Sequence, residues 1–346
     1  MRPRARVCWC SVFWRATPVL VLLCACSEPP RQDSDTSIPT TASPTSASAT
    51  EGDGNTSLAG ASTAAEEKLD LGKQDTPPPL PADGCDAIDF LFVVDNSESM
   101  STFQAGLAAQ FPDFIDAMYE ALPESISIHV GLTTTDFDAG CAAAEATSNC
   151  QTAASLEEVQ THYRRPDEDV DGGNGTQGRL FEFGQRTYFE TSSDDDPAPL
   201  ASWFGDAAVA AGEAGCSYEM PVAAAGFMAH PANAEANNGF LRDDGALLVV
   251  FFLTDEPDKS VESRFVYEEM LLDAKAGCGG ADCIFVSGLI PSCTLEVNQK
   301  LWQFMGLFDE DPRWGDIDLT NDYTEVFGAT LADAIAERCA ELTPAG

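Results

Sequence analysis

The sequence predicts an α/β domain with a doubly wound, mostly parallel sheet flanked by helices and a long insertion after the second strand. Residues 88–94 and 246–253 are continuous apolar runs, which are typical of strands buried on both faces of a parallel sheet. Around these runs, other segments carry apolar residues at helical spacing. Strands and helices therefore alternate along the chain, and this order is characteristic of a doubly wound sheet.

The remaining elements follow from the same periodicities. Residues 126–132 alternate and 283–289 are mostly apolar, so both are predicted strands, whereas 136 to about 200 show neither period and are assigned to the insertion. Pro112 is expected to kink the first helix or to break it in two. The predicted helices are 103–122, 220–228, 265–276, 295–308 and 323–342.

The N-terminal region has a different composition. Residues 1–25 contain four arginines, no acid and a short apolar stretch, which predicts a signal peptide. The ending LCAC resembles the bacterial lipobox and implies cleavage before Cys26 and lipidation of its thiol; the alternative is an ordinary signal peptide. Ser27 then implies an outer-membrane or cell-surface lipoprotein. Residues 26–84 are rich in Ser, Thr and Pro and are predicted to be a disordered tether, leaving 85–343 as the folded domain.

The charge of the chain limits its partners. The 346 residues carry a formal net charge of −39. Removal of the leader with its four arginines would make the chain more negative by four charges. Such a surface repels nucleic acid and anionic membranes, so we expect no nucleic-acid partner and membrane attachment only through the lipid. It attracts divalent cations and cationic partners.

The cysteines indicate disulfide bonds. Eight cysteines follow Cys26, and an even number in an exported chain predicts disulfides. Cys141–Cys150 and Cys278–Cys283 would close short loops, while the sequence leaves the other pairings open. There is no C-x-x-C motif and there are three histidines, so a zinc site is disfavoured.

The first buried strand ends in a cluster of oxygen donors. Asp95, Ser97 and Ser99 form the pattern D-x-S-x-S, and Asp255 follows the second buried strand. Carboxyl ends of neighbouring parallel strands lie at one edge of a sheet, where ligands bind. Carboxylates and hydroxyls suit hard cations, so the sequence predicts a divalent cation here, Mg²⁺ first and Mn²⁺ or Ca²⁺ as alternatives. Neutral hydroxyls would leave the cation able to accept a carboxylate from another molecule.

The segments VVDNSESM and VVFFLTDEPD together resemble a von Willebrand factor type A domain, a Rossmann-like fold with a metal-ion-dependent adhesion site. The resemblance covers about 85–343 and implies that Ser97 and Ser99 bind the cation directly, while Asp95 and Asp255 act through water. Together with the lipobox and the tether, the chain is similar to bacterial surface lipoproteins that carry one such domain.

Two departures from this pattern concern the rest of the site. The family supplies a threonine from the loop that here has the sequence GEAGCSYEMP, where Ser217 is the nearest hydroxyl and Glu219 a possible substitute. The family's glycine after the second aspartate is replaced by Glu256.

Other motifs are weaker. Asp167, Asp169 and Asp171 begin an EF-hand-like loop, but Gly178 stands where a bidentate glutamate is needed, so a solvated acidic turn is favoured over calcium. The glycines of a G-x-G-x-x-G pattern in the same region follow no strand, which excludes a dinucleotide site. The three histidines, His129, His162 and His230, are expected to be structural.

Three functions remain open. The first is a surface-anchored module that binds an acidic side chain of a partner protein through a divalent cation. The second is an envelope scaffold with the same fold and a degenerate site. The third, an enzyme using the cation as a Lewis acid, would need Glu219 or Glu256 as its base and is disfavoured.

Overall fold

The computed structural model describes residues 8–12, 22–26, 84–122, 124–137, 156–169, 172–216, 218–242, 245–295, 299–317 and 329–342. Its contacts divide the chain into two units, 1–73 and 74–346. In the first unit, strands β1 (Cys8–Val12) and β2 (Leu22–Cys26) pair in an antiparallel manner. The signal peptide, the tether and the lipidation of Cys26 stay predictions. No helix in the described part of the chain is both long and apolar enough to cross a membrane.

The second unit is built on a six-stranded, mostly parallel sheet with the order β5-β4-β3-β6-β7-β8, in which β4 and β5 alone run antiparallel. The predicted α/β class and four predicted strands are confirmed. The strands are β3 (Ala87–Val94), β4 (Ser127–Thr134), β5 (Tyr188–Ser192), β6 (Ala246–Leu253), β7 (Ile284–Ile290) and β8 (Trp314–Asp316). The helices are α1 (Ser101–Ala121), α2 (Leu156–His162), α3 (Ala198–Ala210), α4 (Pro221–Met228), α5 (Arg264–Ala274), α6 (Lys300–Met305) and α7 (Ala329–Glu341).

Helices cover both faces of the sheet, so its central strands are buried on both sides. Phe90 and Phe92 of β3 pack in the core beneath α1, α3 and α7, whereas Leu91 and Val93 pack in the core beneath α4, α5 and α6. Successive side chains of a strand point to opposite faces, which explains why β3 and β6 are apolar without interruption. In the sheet, β4 lies on one side of β3 and β6 lies on the other. The strand order therefore reverses between β3 and β6.

The predicted insertion over 136–200 was partly wrong. This region supplies the edge strand β5, the short helix α2 and the first residues of α3. The side chains of β5 are at most partly buried, so its five residues lack the apolar run that identifies a central strand. β8, with three residues, was missed for the same reason.

Pro112 does not break α1, which is continuous from Ser101 to Ala121. A proline has no N–H for the carbonyl four residues before it, here that of Ala108. That carbonyl faces Gly205 of α3, where an added Cβ would lie 3.4 Å away. Only one intrahelical hydrogen bond is therefore lost, and α3 packs closely against that turn of α1.

The disulfides are partly as predicted. Cys278–Cys283 is confirmed, and Cys85–Cys339 joins the start of β3 to α7. Cys216 and Cys293 are each disulfide-bonded as well. The predicted pair Cys141–Cys150 lies outside the described residues.

Candidate functional site

Two loops meet at the carboxyl edge of the sheet, where β3 and β6 end. The β3–β6 ladder continues beyond the strands, because the Asp95 N–H donates to the Leu253 carbonyl at 2.8 Å. Thr254 N–H donates to the Leu289 carbonyl of β7 at 3.2 Å. These bonds fix the backbone before each aspartate, so Asp95 and Asp255 leave adjacent strands at the same level.

The side chains of the two loops form one hydrogen-bonded cluster. Ser97 and Ser99 have their hydroxyl oxygens 3.0 Å apart, and the Ser99 hydroxyl donates to Asp255 Oδ1 at 3.1 Å. Asp95 Oδ1 accepts the Ser97 N–H at 2.8 Å, and its Oδ2 accepts the Thr254 hydroxyl at 2.8 Å. The structure thus brings together four of the predicted site residues. Thr254, whose hydroxyl orients Asp95, was not recognised from the sequence.

The two aspartates are held in an environment that disfavours their charge. Burial raises the pKa of Asp95 to about 6, although hydrogen bonds from Ser97 and Thr254 oppose the shift. Burial, followed by the negative charge of Asp95, raises the pKa of Asp255 to about 7. Neither carboxylate has a cationic side chain as its hydrogen-bond partner among the described residues. Near neutral pH both groups are therefore close to their pKa, and the cluster carries only part of its full negative charge.

A third loop, residues 212–220, is fastened to the cluster. The amide of Gln104 donates to the carbonyls of both Asp95 and Gly212 at 3.0 Å. The Gly215 N–H donates to the Asn96 carbonyl at 2.8 Å. This loop is the one in which the resemblance calls for a threonine. Ser217 lies outside the described residues, so its part in the site stays a prediction.

Glu219 of the same loop is fully buried and belongs to an ionic group that the sequence did not predict. Its Oε2 lies 2.5 Å from the Lys259 ammonium, which also contacts the Glu256 carboxylate. Burial lowers the pKa of Lys259, but the charges of Glu219 and Glu256 outweigh it and raise that pKa overall. One indication of this ionic group was present in the sequence, because Lys259 stands four residues after Asp255 in a strongly acidic chain.

The donor set fits a hard divalent cation. Two carboxylates and two hydroxyls converge, and no imidazole or thiol is among them. Two further oxygens nearby, Asn96 Oδ1 and Glu219 Oε1, are buried without a hydrogen-bond partner in the described part of the chain. Buried polar atoms are rarely left unsatisfied, so these oxygens are expected to have partners beyond the described residues. No three His, Cys, Asp or Glu side chains within the described ranges are grouped as a metal cluster, so a cation would depend on the serines.

The acidic loop after α2 is organised differently. The Asp167 carboxylate accepts a hydrogen bond from Arg165 Nε at 2.9 Å, and Asp169 Oδ2 accepts one from the Gln177 amide at 3.1 Å. Asp171 lies outside the described residues. The two described carboxylates are paired within the chain, which favours a structural turn over a calcium loop.

The histidines and Asp258 have structural contacts. His129 is buried, with Nδ1 2.8 Å from the Phe240 carbonyl, and His230 Nδ1 accepts the Ala232 N–H at 3.1 Å. The His162 ring contacts the Tyr218 ring in a tilted arrangement, with ring centroids 5.1 Å apart. Asp258 caps α4, because its Oδ1 accepts the Val222 N–H at 3.0 Å.

No protein-family model matches the chain, and no curated protein matches its sequence. Among solved structures, it is similar to proximal thread matrix protein 1 from the mussel byssus, with 10% identity, a TM-score of 0.36 and coverage of 74% of this chain and 49% of that one.

It is also similar to a von Willebrand factor type A protein from Catenulispora acidiphila, with 11% identity, a TM-score of 0.33 and coverage of 74% and 42% of the two chains. A third similar structure is the pilus adhesin SpaC from Lactobacillus rhamnosus GG in its open conformation, with 13% identity, a TM-score of 0.38 and coverage of 73% and 30%. The chain thus spans less than half the length of each of these proteins. At such identities and TM-scores, nothing about binding or activity passes from them to this chain.

Proposed function

We propose that this chain is a surface-anchored protein-binding module that holds a divalent cation with Asp95, Ser97, Ser99 and Asp255, and that Mg²⁺ is the first candidate. The observation that carries the proposal is the convergence of these four side chains, from two separate loops, at the switch point of the sheet. When bound, the cation would supply positive charge and a coordination position for a carboxylate of a partner protein.

The chain's own residues prepare the site in two ways. The Thr254 hydroxyl and the Ser97 N–H orient Asp95, and Ser99 orients Asp255. The serines contribute donors without charge, so a bound cation would keep part of its charge for an Asp or Glu side chain of the partner. Lipidation of Cys26 would place the module at the cell envelope, on the outer membrane or the cell surface.

A catalytic function has less support. A Lewis-acid enzyme would need a general base beside the cation, and the two candidates, Glu219 and Glu256, both contact the Lys259 ammonium. We therefore propose binding without turnover.

Calorimetric titration of Mg²⁺, Mn²⁺ and Ca²⁺ into the full chain tests the proposal. We expect saturable binding by the wild type and its loss in the Ser97→Ala/Ser99→Ala double variant. Ser101→Ala, two residues further along the chain, is the matched control and should bind as the wild type does. Absence of saturable binding by the wild type would contradict the proposal.

The second candidate is a scaffold that binds partners without a metal. The observation that favours it is Lys259, an internal cation that already contacts two carboxylates near the cluster. If a partner, once identified, binds equally well with and without chelator, the scaffold is correct.

A further inference from the structure

Glu219 is a buried carboxylate with one oxygen bound and the other without a partner. Its side chain has no exposed surface, and its Oε2 lies 2.5 Å from Lys259 Nζ. Its Oε1 is buried and has no hydrogen-bond donor among the described residues. Leaving a charged oxygen desolvated and unpaired costs free energy. Such an oxygen is expected to have a partner beyond the described residues, and a bound cation would supply one.

The backbone places this carboxylate between the loops of the cation cluster. Met220 N–H donates to the Thr135 carbonyl at 3.1 Å, beyond the end of β4, and Lys259 N–H donates to the Glu219 carbonyl at 2.9 Å. Glu219 is thus held between the loop that follows Asp255 and the strand next to Asp95. Burial and then the charge of Asp95 raise the pKa of Glu219, which places the two carboxylates in one electrostatic environment.

Lys259 is held between Glu219 and Glu256, and its side chain is one-tenth exposed. The one ammonium is shared by two carboxylates, so the three side chains together carry one net negative charge instead of two. Lys259 therefore reduces the charge that Glu219 presents to a cation. In electrostatic terms Glu219 beside Lys259 lies between a hydroxyl ligand and a free glutamate.

We propose that Glu219 is the third loop's ligand to the cation, through Oε1, and that Lys259 reduces the charge of this ligand so that the bound cation retains charge for an acidic partner. The inference rests on the proposed function and extends it. It explains how the loop functions without the threonine that the resemblance calls for. It also explains a buried lysine beside a cation site, which would otherwise only repel the cation.

Opposite effects of the two charges are the signature of this arrangement. Removing the carboxylate charge with Glu219→Gln should weaken Mg²⁺ and Mn²⁺ binding, by about 10- to 100-fold. Removing the ammonium with Lys259→Met also raises the pKa of Glu219, because the Lys259 charge lowers that pKa. At alkaline pH, where Glu219 is ionised and acts with its full charge, the variant should therefore bind the same ions more tightly. A pair with a structural role alone would not move the affinity in opposite directions.

The experiment is calorimetric titration of Mg²⁺ and Mn²⁺ into the full chain as wild type, Glu219→Gln, Lys259→Met and the double variant. Glu213→Gln, an exposed glutamate on the same loop, is the matched control and should bind as the wild type does. The double variant removes both charges together, so it leaves no unpaired member of the pair and covers the case in which Glu219→Gln does not fold. It should bind more weakly than the wild type, because the carboxylate is absent, but less weakly than Glu219→Gln, in which the ammonium still repels the cation.

The outcomes separate this inference from the proposed function. Saturable binding by the wild type with unchanged affinity in Glu219→Gln, or in the double variant, would overturn the role of Glu219 and leave the four-residue site intact. At alkaline pH, Lys259→Met binding no more tightly than the wild type would overturn the role of Lys259. Absence of binding by the wild type would remove the proposed function and this inference with it.

Discussion

A buried aspartate lies near each end of strand β3, Asp89 within the strand and Asp95 directly after it. The two carboxylates have opposite electrostatic surroundings. Asp89 accepts hydrogen bonds from Arg242 Nε at 2.7 Å and from the Arg242 N–H at 2.8 Å, and Lys275 Nζ lies 3.8 Å away. Asp95 has hydroxyl and amide donors around it, and the nearby charges that act on it are negative.

This difference separates a charge that the chain neutralises from one that its described residues do not. A buried charge is tolerated when the protein neutralises it, as at Asp89. At Asp95 the described residues supply hydrogen-bond donors that orient the carboxylate but no cationic side chain that neutralises it. At Asp89 the same fold places an arginine and a lysine beside the carboxylate. The arrangement at the carboxyl edge of the sheet therefore supports the proposal of a cation from outside the chain, whereas Asp89 is paired with cationic side chains of the chain itself.

The largest expected effect contrasts these two aspartates. Asp89→Asn removes the charge of the carboxylate that Arg242 and Lys275 contact and should lower the free energy of unfolding by about 3–5 kcal/mol. Asp95→Asn removes a buried, repelled charge and should leave that free energy unchanged or raise it when chelator is present. Urea unfolding of both variants in chelator measures the difference. Equal losses would remove the distinction between the two ends of β3.

Removal of the disulfide Cys85–Cys339 tests whether the two ends of β3 act independently. It closes a loop across a sequence separation of 254 residues next to the start of β3. Replacing both cysteines by alanine should lower the free energy of unfolding by about 2–5 kcal/mol, mainly by freeing the unfolded chain. Mg²⁺ affinity at the other end should not change, and calorimetry would detect a coupling if there is one.

The pH dependence of the free energy of unfolding should come from Asp95 and Asp255 at the carboxyl edge of the sheet. Because the pKa of Asp95 and Asp255 is raised in the folded chain, to about 6 and about 7, the folded state binds these protons more tightly than the unfolded state. This stabilisation is complete below pH 4 or so and is lost as the pH rises through 6 and 7. For Asp95 alone it amounts to about 3 kcal/mol.

Urea unfolding in chelator across this pH range measures the effect. The Asp95→Asn/Asp255→Asn variant should show a shallower decline. Saturating Mg²⁺ should offset the decline in the wild type, since the cation replaces the protons. A stability that does not fall between pH 5 and 8 in chelator would contradict the account of the charge.

The smallest effect is expected at the acidic loop after α2. Asp167 is partly exposed and paired with Arg165, which lowers the pKa of the aspartate by hydrogen bonding. Asp167→Asn should cost less than about 1 kcal/mol of unfolding free energy and leave Ca²⁺ binding unchanged. Calorimetric loss of a Ca²⁺ site in this variant would restore the calcium-loop interpretation.

The sequence predicted those parts of the molecule that local pattern determines. β3 and β6 are apolar on both faces, and the serines and aspartates that follow them stand next to their strands in the chain. β5 was missed because a short edge strand with partly exposed side chains has no such pattern. The role of Lys259 and the Cys85–Cys339 pairing depend on contacts between distant segments, which periodicity does not encode.

The most direct test of the central claim, that the carboxyl edge of the sheet is completed by a divalent cation, is thermal unfolding of the full chain at neutral pH with Mg²⁺ and with chelator. A ligand that binds only the folded state at 100 times its Kd stabilises that state by about 2.7 kcal/mol. The account predicts a clear rise in the Tm of the wild type with Mg²⁺ and none in the Ser97→Ala/Ser99→Ala variant. An unchanged Tm in the wild type, or an equal rise in the variant, would contradict it.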